Sequence, residues 1–82
     1  MRVTVRYFAA ARAVAGVEEE PLELAAGTTV AALTGILSAR DAELARVLAR
    51  CSYLVDGIAV RDQTIGLRNA QTVDVLPPFA GG

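Results

Sequence analysis

Apolar and polar residues alternate at both ends of the chain. In "RVTVRYF", Val3, Val5 and Tyr7 occupy one phase of the alternation. In "TVDVL", near the other end, Val73 and Val75 do the same. Alternation of this kind is typical of a strand that buries one face. The folded part of the chain is therefore predicted to begin and to end in strands.

The middle of the chain follows a helical period instead. Val30, Leu33 and Leu37 recur at the spacing of one helix face, which predicts the main helix over roughly residues 29–39. A second helical piece, "DAELARVLAR", begins near Asp41, and "AAARAV" predicts a short helical turn after the first strand.

Two further segments predict the remaining strands. "VEEEPLELAA" contains Pro21, which favours an edge strand or a bulge, and its acidic run Glu18–Glu20 is interpreted as a solvated turn. "CSYLVDGIAV" predicts a hairpin that turns at Asp56-Gly57. The resulting order is β-β-α-β-β with a final β. This indicates an α+β domain with a mixed sheet of four to five strands and one main helix packed on one face. The other face of the sheet is expected to be solvated.

Composition narrows the class of protein. The chain has 82 residues, of which 54% are hydrophobic and 21% charged, as in a single globular domain. A net charge of −1 gives no indication of a nucleic-acid or membrane partner. Arg6 and Arg12 interrupt every apolar run of the N-terminus, so we expect no signal peptide there. We expect a soluble, cytoplasmic protein.

The side chains that usually carry catalysis are scarce. Histidine and lysine are absent, so the usual general base near neutral pH is missing. The single cysteine, Cys51, shares a strand face with Tyr53 and Val55 and is interpreted as a small core residue. No metal site is predicted from this set.

The C-terminus, "VDVLPPFAGG", holds the most informative pattern. Pro77 and Pro78 lack the N–H that would extend a ladder, so they end the last strand and direct the chain away from the sheet. We therefore predict a folded domain over residues 1–76 and a flexible tail over residues 77–82. From Pro78 the tail reaches at most about 16–18 Å. Gly81 and Gly82 have no side chains, which suits a narrow slot in a partner enzyme.

The pattern as a whole resembles the molybdopterin synthase small subunits, which belong to the ubiquitin-like β-grasp sulfur carriers. The resemblance is carried by "LPPFAGG" on a last strand and by the opening "VTVRYFAAARAVAG", a strand that ends in an aromatic pair and leads into a short helix and a glycine. It implies a ubiquitin-like β-grasp fold with an extended C-terminal tail.

The resemblance also implies a reaction cycle at Gly82. A ubiquitin-activating-type adenylating enzyme uses ATP to adenylate the carboxylate of Gly82, and sulfur from a sulfurtransferase then replaces AMP to leave a thiocarboxylate. In the large subunit of molybdopterin synthase, the thiocarboxylate donates its sulfur to a cyclic pyranopterin precursor in molybdenum cofactor biosynthesis. The chain would itself bind no cofactor and would be a non-catalytic sulfur donor.

An apolar cluster beside the tail predicts where a partner docks. Phe8, Leu54 and Leu76 fall on the otherwise polar, helix-free face of the sheet, and Phe79 lies on the tail next to it. The alternative, in which two of these four residues pack under loops, stays open. The predicted partner-binding residues are Phe8, Leu54, Leu76, Pro77, Pro78, Phe79 and Ala80.

Other functions remain compatible with the sequence. A β-grasp sulfur carrier could serve thiamine thiazole synthesis, cysteine synthesis or protein modification, or the chain could be a non-covalent ubiquitin-like binding module. One segment departs from the family pattern, which often has a Gly-Asp turn before the last strand. Here "RNAQTV" stands in its place, and Asn69 is expected to adopt the left-handed conformation of the turn.

Overall fold

A computed structural model describes residues 1–78, so the predictions for Phe79, Ala80, Gly81 and Gly82 lie outside the described residues. The elements in chain order are β1 (Arg2–Tyr7), α1 (Ala9–Ala15), β2 (Glu19–Glu23), α2 (Val30–Ser38), α3 (Ala42–Leu48), β3 (Ser52–Val55), β4 (Ile58–Ala59) and β5 (Thr72–Leu76). No helix within residues 1–78 is long and apolar enough to cross a bilayer.

The strands form one mixed sheet in the order β2-β1-β5-β3-β4. β5 lies at its centre, parallel to β1 and antiparallel to β3, and the other pairs are antiparallel. The predicted α+β class and mixed sheet are confirmed. The longest helix is α2, as the periodicity predicted, and two seven-residue helices accompany it.

The core lies between one face of this sheet and the helices. Val3, Val5 and Val75 are fully buried on the sheet side. Leu33 and Leu37 from α2 pack into the same cluster, to which α1 and α3 also contribute. The opposite face of the sheet carries no helix among the described residues, because its positions are mostly polar and need no cover.

Two sequence-based predictions about the edges of the sheet, the edge strand at Pro21 and the hairpin turn at Asp56-Gly57, are confirmed. Pro21 lies in β2, which is an edge strand. The hairpin turns at Asp56 and Gly57, whose φ angles of 48° and 82° match the left-handed pair that favours such turns.

The interpretation of the acidic run as a solvated turn is only partly right: Glu18 and Glu19 are exposed, but Glu19 and Glu20 lie in β2 and Glu20 is half-buried. Glu20 lies within β2 and accepts hydrogen bonds from the Tyr7 hydroxyl at 3.1 Å and from Arg40 at 2.7 Å. Burial, followed by the charge of Glu20, raises the pKa of Tyr7, so the phenol stays protonated as a donor. These contacts tie β1 and β2 to the segment after α2.

The turn before β5 also differs from expectation. The left-handed residue is Ala70, with φ 69°, and not Asn69. The side chain of Asn69 instead accepts a hydrogen bond from the Arg2 backbone N–H at 2.8 Å. The Ala70 N–H donates to the Arg2 carbonyl at 2.7 Å. Asn69 and Ala70 thus each form a hydrogen bond with the Arg2 backbone at the start of β1. Because the Asn69 side chain is engaged in this way, the left-handed conformation falls on Ala70.

Substitution Ala70→Gly is expected to stabilise the protein by about 0.5–1 kcal/mol. Relief of the left-handed conformation gains roughly 1–2 kcal/mol, and the added freedom of glycine in the unfolded chain costs about 0.4–1 kcal/mol. Ala39→Gly is the matched control, because Ala39 has φ −70° and no strain to relieve. Urea unfolding should show opposite shifts for the two variants. A loss of stability in Ala70→Gly as large as in Ala39→Gly would contradict the prediction.

Candidate functional site

The last strand ends where the sequence predicted. β5 stops at Leu76, and Pro77 and Pro78 follow. Pro77 is buried and Pro78 is exposed, so the packed body extends through Pro77. Both prolines line a surface groove against α1 and α3, together with Ala10, Glu43, Arg46, Val47, Ala49 and Arg50. Pro77 therefore holds the chain against the body at one end of the central strand.

Five of the predicted partner-binding residues lie within residues 1–78, and the structure places three of them, Phe8, Leu54 and Leu76, on one face of the sheet. Arg6 of β1 pairs with Asp74 of β5, and Asp74 in turn pairs with Leu54 of β3. Two residues further along the parallel register, Phe8 comes beside Leu76. The Phe8 N–H continues that ladder by donating to Val75 at 3.3 Å. We call the surface formed by Phe8, Leu54, Leu76, Arg6 and Asp74 the docking face.

The backbone around Phe8 explains why its ring lies on this face. Tyr7 before it is buried in the core, and Phe8 itself is extended, with φ −123° and ψ 150°. Ala9 then adopts φ 50°, an unfavourable conformation for alanine, and α1 begins. The turn leaves Phe8 37% exposed, whereas Leu54 and Leu76 are half-buried. Phe8 is therefore the most accessible apolar residue on the docking face.

Sequence reasoning missed the two charged members of the docking face. Arg6 Nε donates to Asp74 Oδ1 at 2.6 Å, and Arg6 Nη2 donates to Asp74 Oδ2 at 2.9 Å. The hydrogen bonds and the charge of Asp74 raise the pKa of Arg6. The Arg6 guanidinium also lies 5.7 Å from the centre of the Phe8 ring. Arg6 and Asp74 stand at polar phases of their strands, but only the strand register shows that they pair.

Cys51 lies apart from this face. It is half-buried, and its thiol donates to the Val47 carbonyl at 3.2 Å. Burial raises the pKa of Cys51, which disfavours the reactive thiolate. Within residues 1–78 no cluster of His, Cys, Asp or Glu is arranged to hold a metal ion. Within residues 1–78, neither Cys51 nor a metal-binding cluster therefore adds a reactive group to the docking face.

Comparison with protein families and with proteins of known function gives matches that cover nearly the whole chain. The sequence profile of the ThiS family matches residues 5–82. A molybdopterin synthase sulfur carrier subunit of Chlamydomonas reinhardtii is 34% identical over 83 aligned positions, which cover 100% of both proteins.

Solved structures share the fold over nearly the full length. A protein of Pyrococcus furiosus named as molybdopterin converting factor, subunit 1, is 30% identical with a TM-score of 0.86, covering 96% of this chain and 99% of that one. A complex of subunits 1 and 2 of the molybdopterin-converting factor of Helicobacter pylori gives a TM-score of 0.75 at 22% identity, with full coverage of both chains. SAMP1, a small archaeal modifier protein of Haloferax volcanii, gives 0.85 at 20% identity, also with full coverage. At these last two identities the likeness shows the fold alone.

Proposed function

Because the chain belongs to the ThiS family, we propose that it is the sulfur carrier subunit of a molybdopterin synthase, with the carboxylate of Gly82 as the carrying group. The observation that carries this proposal is the 34% identity, end to end, with a sulfur carrier subunit of that enzyme. The end of the central strand at Leu76, directly before Pro77 and Pro78, supports it, because two prolines cannot extend the ladder into the terminal residues.

The carboxylate of Gly82 is a poor electrophile, so the proposed chemistry begins with its activation. Its oxygen attacks the α-phosphate of ATP in an adenylating enzyme and pyrophosphate leaves, which produces an acyl-adenylate. A sulfur nucleophile then displaces AMP and leaves the thiocarboxylate. In the large subunit the thiocarboxylate sulfur forms a C–S bond to the pyranopterin precursor in place of a C–O bond, whose oxygen leaves, and water then cleaves the acyl–sulfur bond to restore the carboxylate. Partner enzymes supply every catalytic group in this sequence.

The docking face is the proposed contact surface for the large subunit. The 34% identical Chlamydomonas relative is named as a subunit of molybdopterin synthase, which supports an assembly with a second subunit here, and the Helicobacter pylori protein of the same fold is in a complex of subunits 1 and 2. Phe8 and Leu76 lie beside the root of the tail, so a partner that receives the tail also covers them. Aromatic anchors at the centre of an interface typically contribute most of its binding energy.

Reconstitution of the sulfur-transfer reaction tests which molecule accepts the sulfur. The thiocarboxylate form, prepared by thiolysis of a C-terminal fusion, is incubated with the large synthase subunit of the same organism and the pyranopterin precursor. We expect molybdopterin to form, with one carrier consumed for each sulfur of the dithiolene. A parallel incubation with a thiazole synthase addresses the other acceptor class. Sulfur transfer in that incubation alone would contradict the assignment to molybdopterin while leaving the carrier chemistry intact.

A further inference from the structure

The ion pair between Arg6 and Asp74 occupies the middle of the docking face. Asp74 lies between Arg6 on β1 and Leu54 on β3, and its side chain is only 7% exposed. Both of its carboxylate oxygens accept hydrogen bonds from Arg6. A surface that served only as an apolar contact would be expected to carry an aliphatic pair at these positions.

The Arg6 guanidinium donates hydrogen bonds to Asp74 on one side and is exposed to solvent on the other. Its side chain is 47% exposed, and within residues 1–78 only Nε and one hydrogen of Nη2 have acceptors. The remaining guanidinium N–H groups point away from Asp74, since a bidentate pair fixes the fork. The Phe8 ring at 5.7 Å further confines the guanidinium. The free donors are thus held in one orientation next to the most exposed aromatic residue of the face.

From this geometry we infer that Arg6, positioned by Asp74, is a specificity determinant of the docking face. It selects a protein partner whose apolar surface carries an oxygen acceptor, a carboxylate for charge complementarity, opposite the free guanidinium N–H groups. The inference rests on the proposed function, since it describes the large subunit that covers this face and receives the tail.

Burial of Arg6 under a partner without such an acceptor is unfavourable. The exposed guanidinium N–H groups would lose their hydrogen bonds to water without forming new ones to the partner. A charged donor left without an acceptor in this way weakens binding by roughly 10- to 100-fold. A partner with a matching carboxylate avoids this loss, whereas a purely apolar partner is rejected. Selection of this kind discriminates between partners that share the same overall shape.

Three variants separate recognition from a structural role. The double variant Arg6→Leu/Asp74→Ala removes both charges together, so it should fold with stability close to that of the wild type. The swapped variant Arg6→Asp/Asp74→Arg keeps an intrachain pair but turns a carboxylate toward the partner. The control Arg2→Leu/Glu23→Ala removes an exposed 2.8 Å pair at the N-terminal end of β1, the end remote from Leu76.

Binding to the large synthase subunit is measured by isothermal titration, with folding checked by urea unfolding. We expect the dissociation constant to rise at least roughly tenfold for the double variant and further for the swapped variant, and to change little for the control. Wild-type binding by either the double or the swapped variant would overturn the inference. So would self-association of the chain through this face with no effect on large-subunit binding.

The same titration distinguishes this inference from the proposed function. If the wild-type chain binds the large subunit and the double variant binds equally well, only the inference about Arg6 fails. If the wild-type chain does not bind the large subunit at all, the proposed function fails as well.

Discussion

Extension of the chain by one alanine after Gly82 is expected to abolish sulfur transfer. The extra residue moves the terminal carboxylate by roughly 3.3–3.6 Å and places a methyl group where the tail must be thin. A misplacement of about 1 Å already costs roughly 100-fold in an oriented reaction, so the loss should exceed that value. The readout is molybdopterin formed in the reconstituted reaction with the adenylating enzyme and a sulfur source.

A cleavable version of this extension provides the matched control. A chain that carries a protease site directly after Gly82 should be inactive before cleavage and fully active after cleavage, since the body over residues 1–78 is unchanged. Activity of the uncleaved chain would contradict the assignment of the terminal carboxylate as the sulfur carrier.

The second large effect is expected at Phe8. Substitution Phe8→Ala should raise the dissociation constant for the large subunit about 30-fold, which corresponds to the roughly 2 kcal/mol of a typical interface hot spot. Phe8 lies beside Leu76 at the root of the tail and is 37% exposed, so a partner can cover it without any rearrangement of the body. Isothermal titration against the large subunit measures the change.

Ile36→Ala is the control for apolar area alone. Ile36 is 46% exposed, more than Phe8, but it lies on α2 and not on the docking face. Its substitution should leave the dissociation constant unchanged. Equal losses from the two variants would show that binding does not depend on the docking face, and unfolding curves for both would exclude a loss of folded protein.

Local signals predicted much of the fold because each depends on a few neighbouring residues. The alternation of Val3, Val5 and Tyr7 gave β1 and its buried face, and Asp56-Gly57 gave the hairpin. The prolines after Leu76 gave the end of β5. In each case the backbone preference and the hydrophobic pattern agree, so no distant contact is needed to decide the structure.

Features that depend on distant pairing could not be predicted in the same way. Arg6 and Asp74 are 68 positions apart, and only the parallel register of β1 and β5 makes them partners. The left-handed residue before β5 was wrongly predicted as Asn69 from its intrinsic preference. Ala70 takes that conformation because the Asn69 side chain is engaged with the Arg2 backbone. Tertiary hydrogen bonds overrode a local preference at this turn.

Intact-mass measurement of the chain co-expressed with its adenylating enzyme and a sulfurtransferase tests the central claim most directly. We predict a mass increase equal to one exchange of oxygen for sulfur, located by fragmentation to the C-terminal peptide and lost on incubation with the large subunit and the pyranopterin precursor. A chain that retains an unmodified Gly82 carboxylate under these conditions, or one modified elsewhere, would contradict its role as a sulfur carrier.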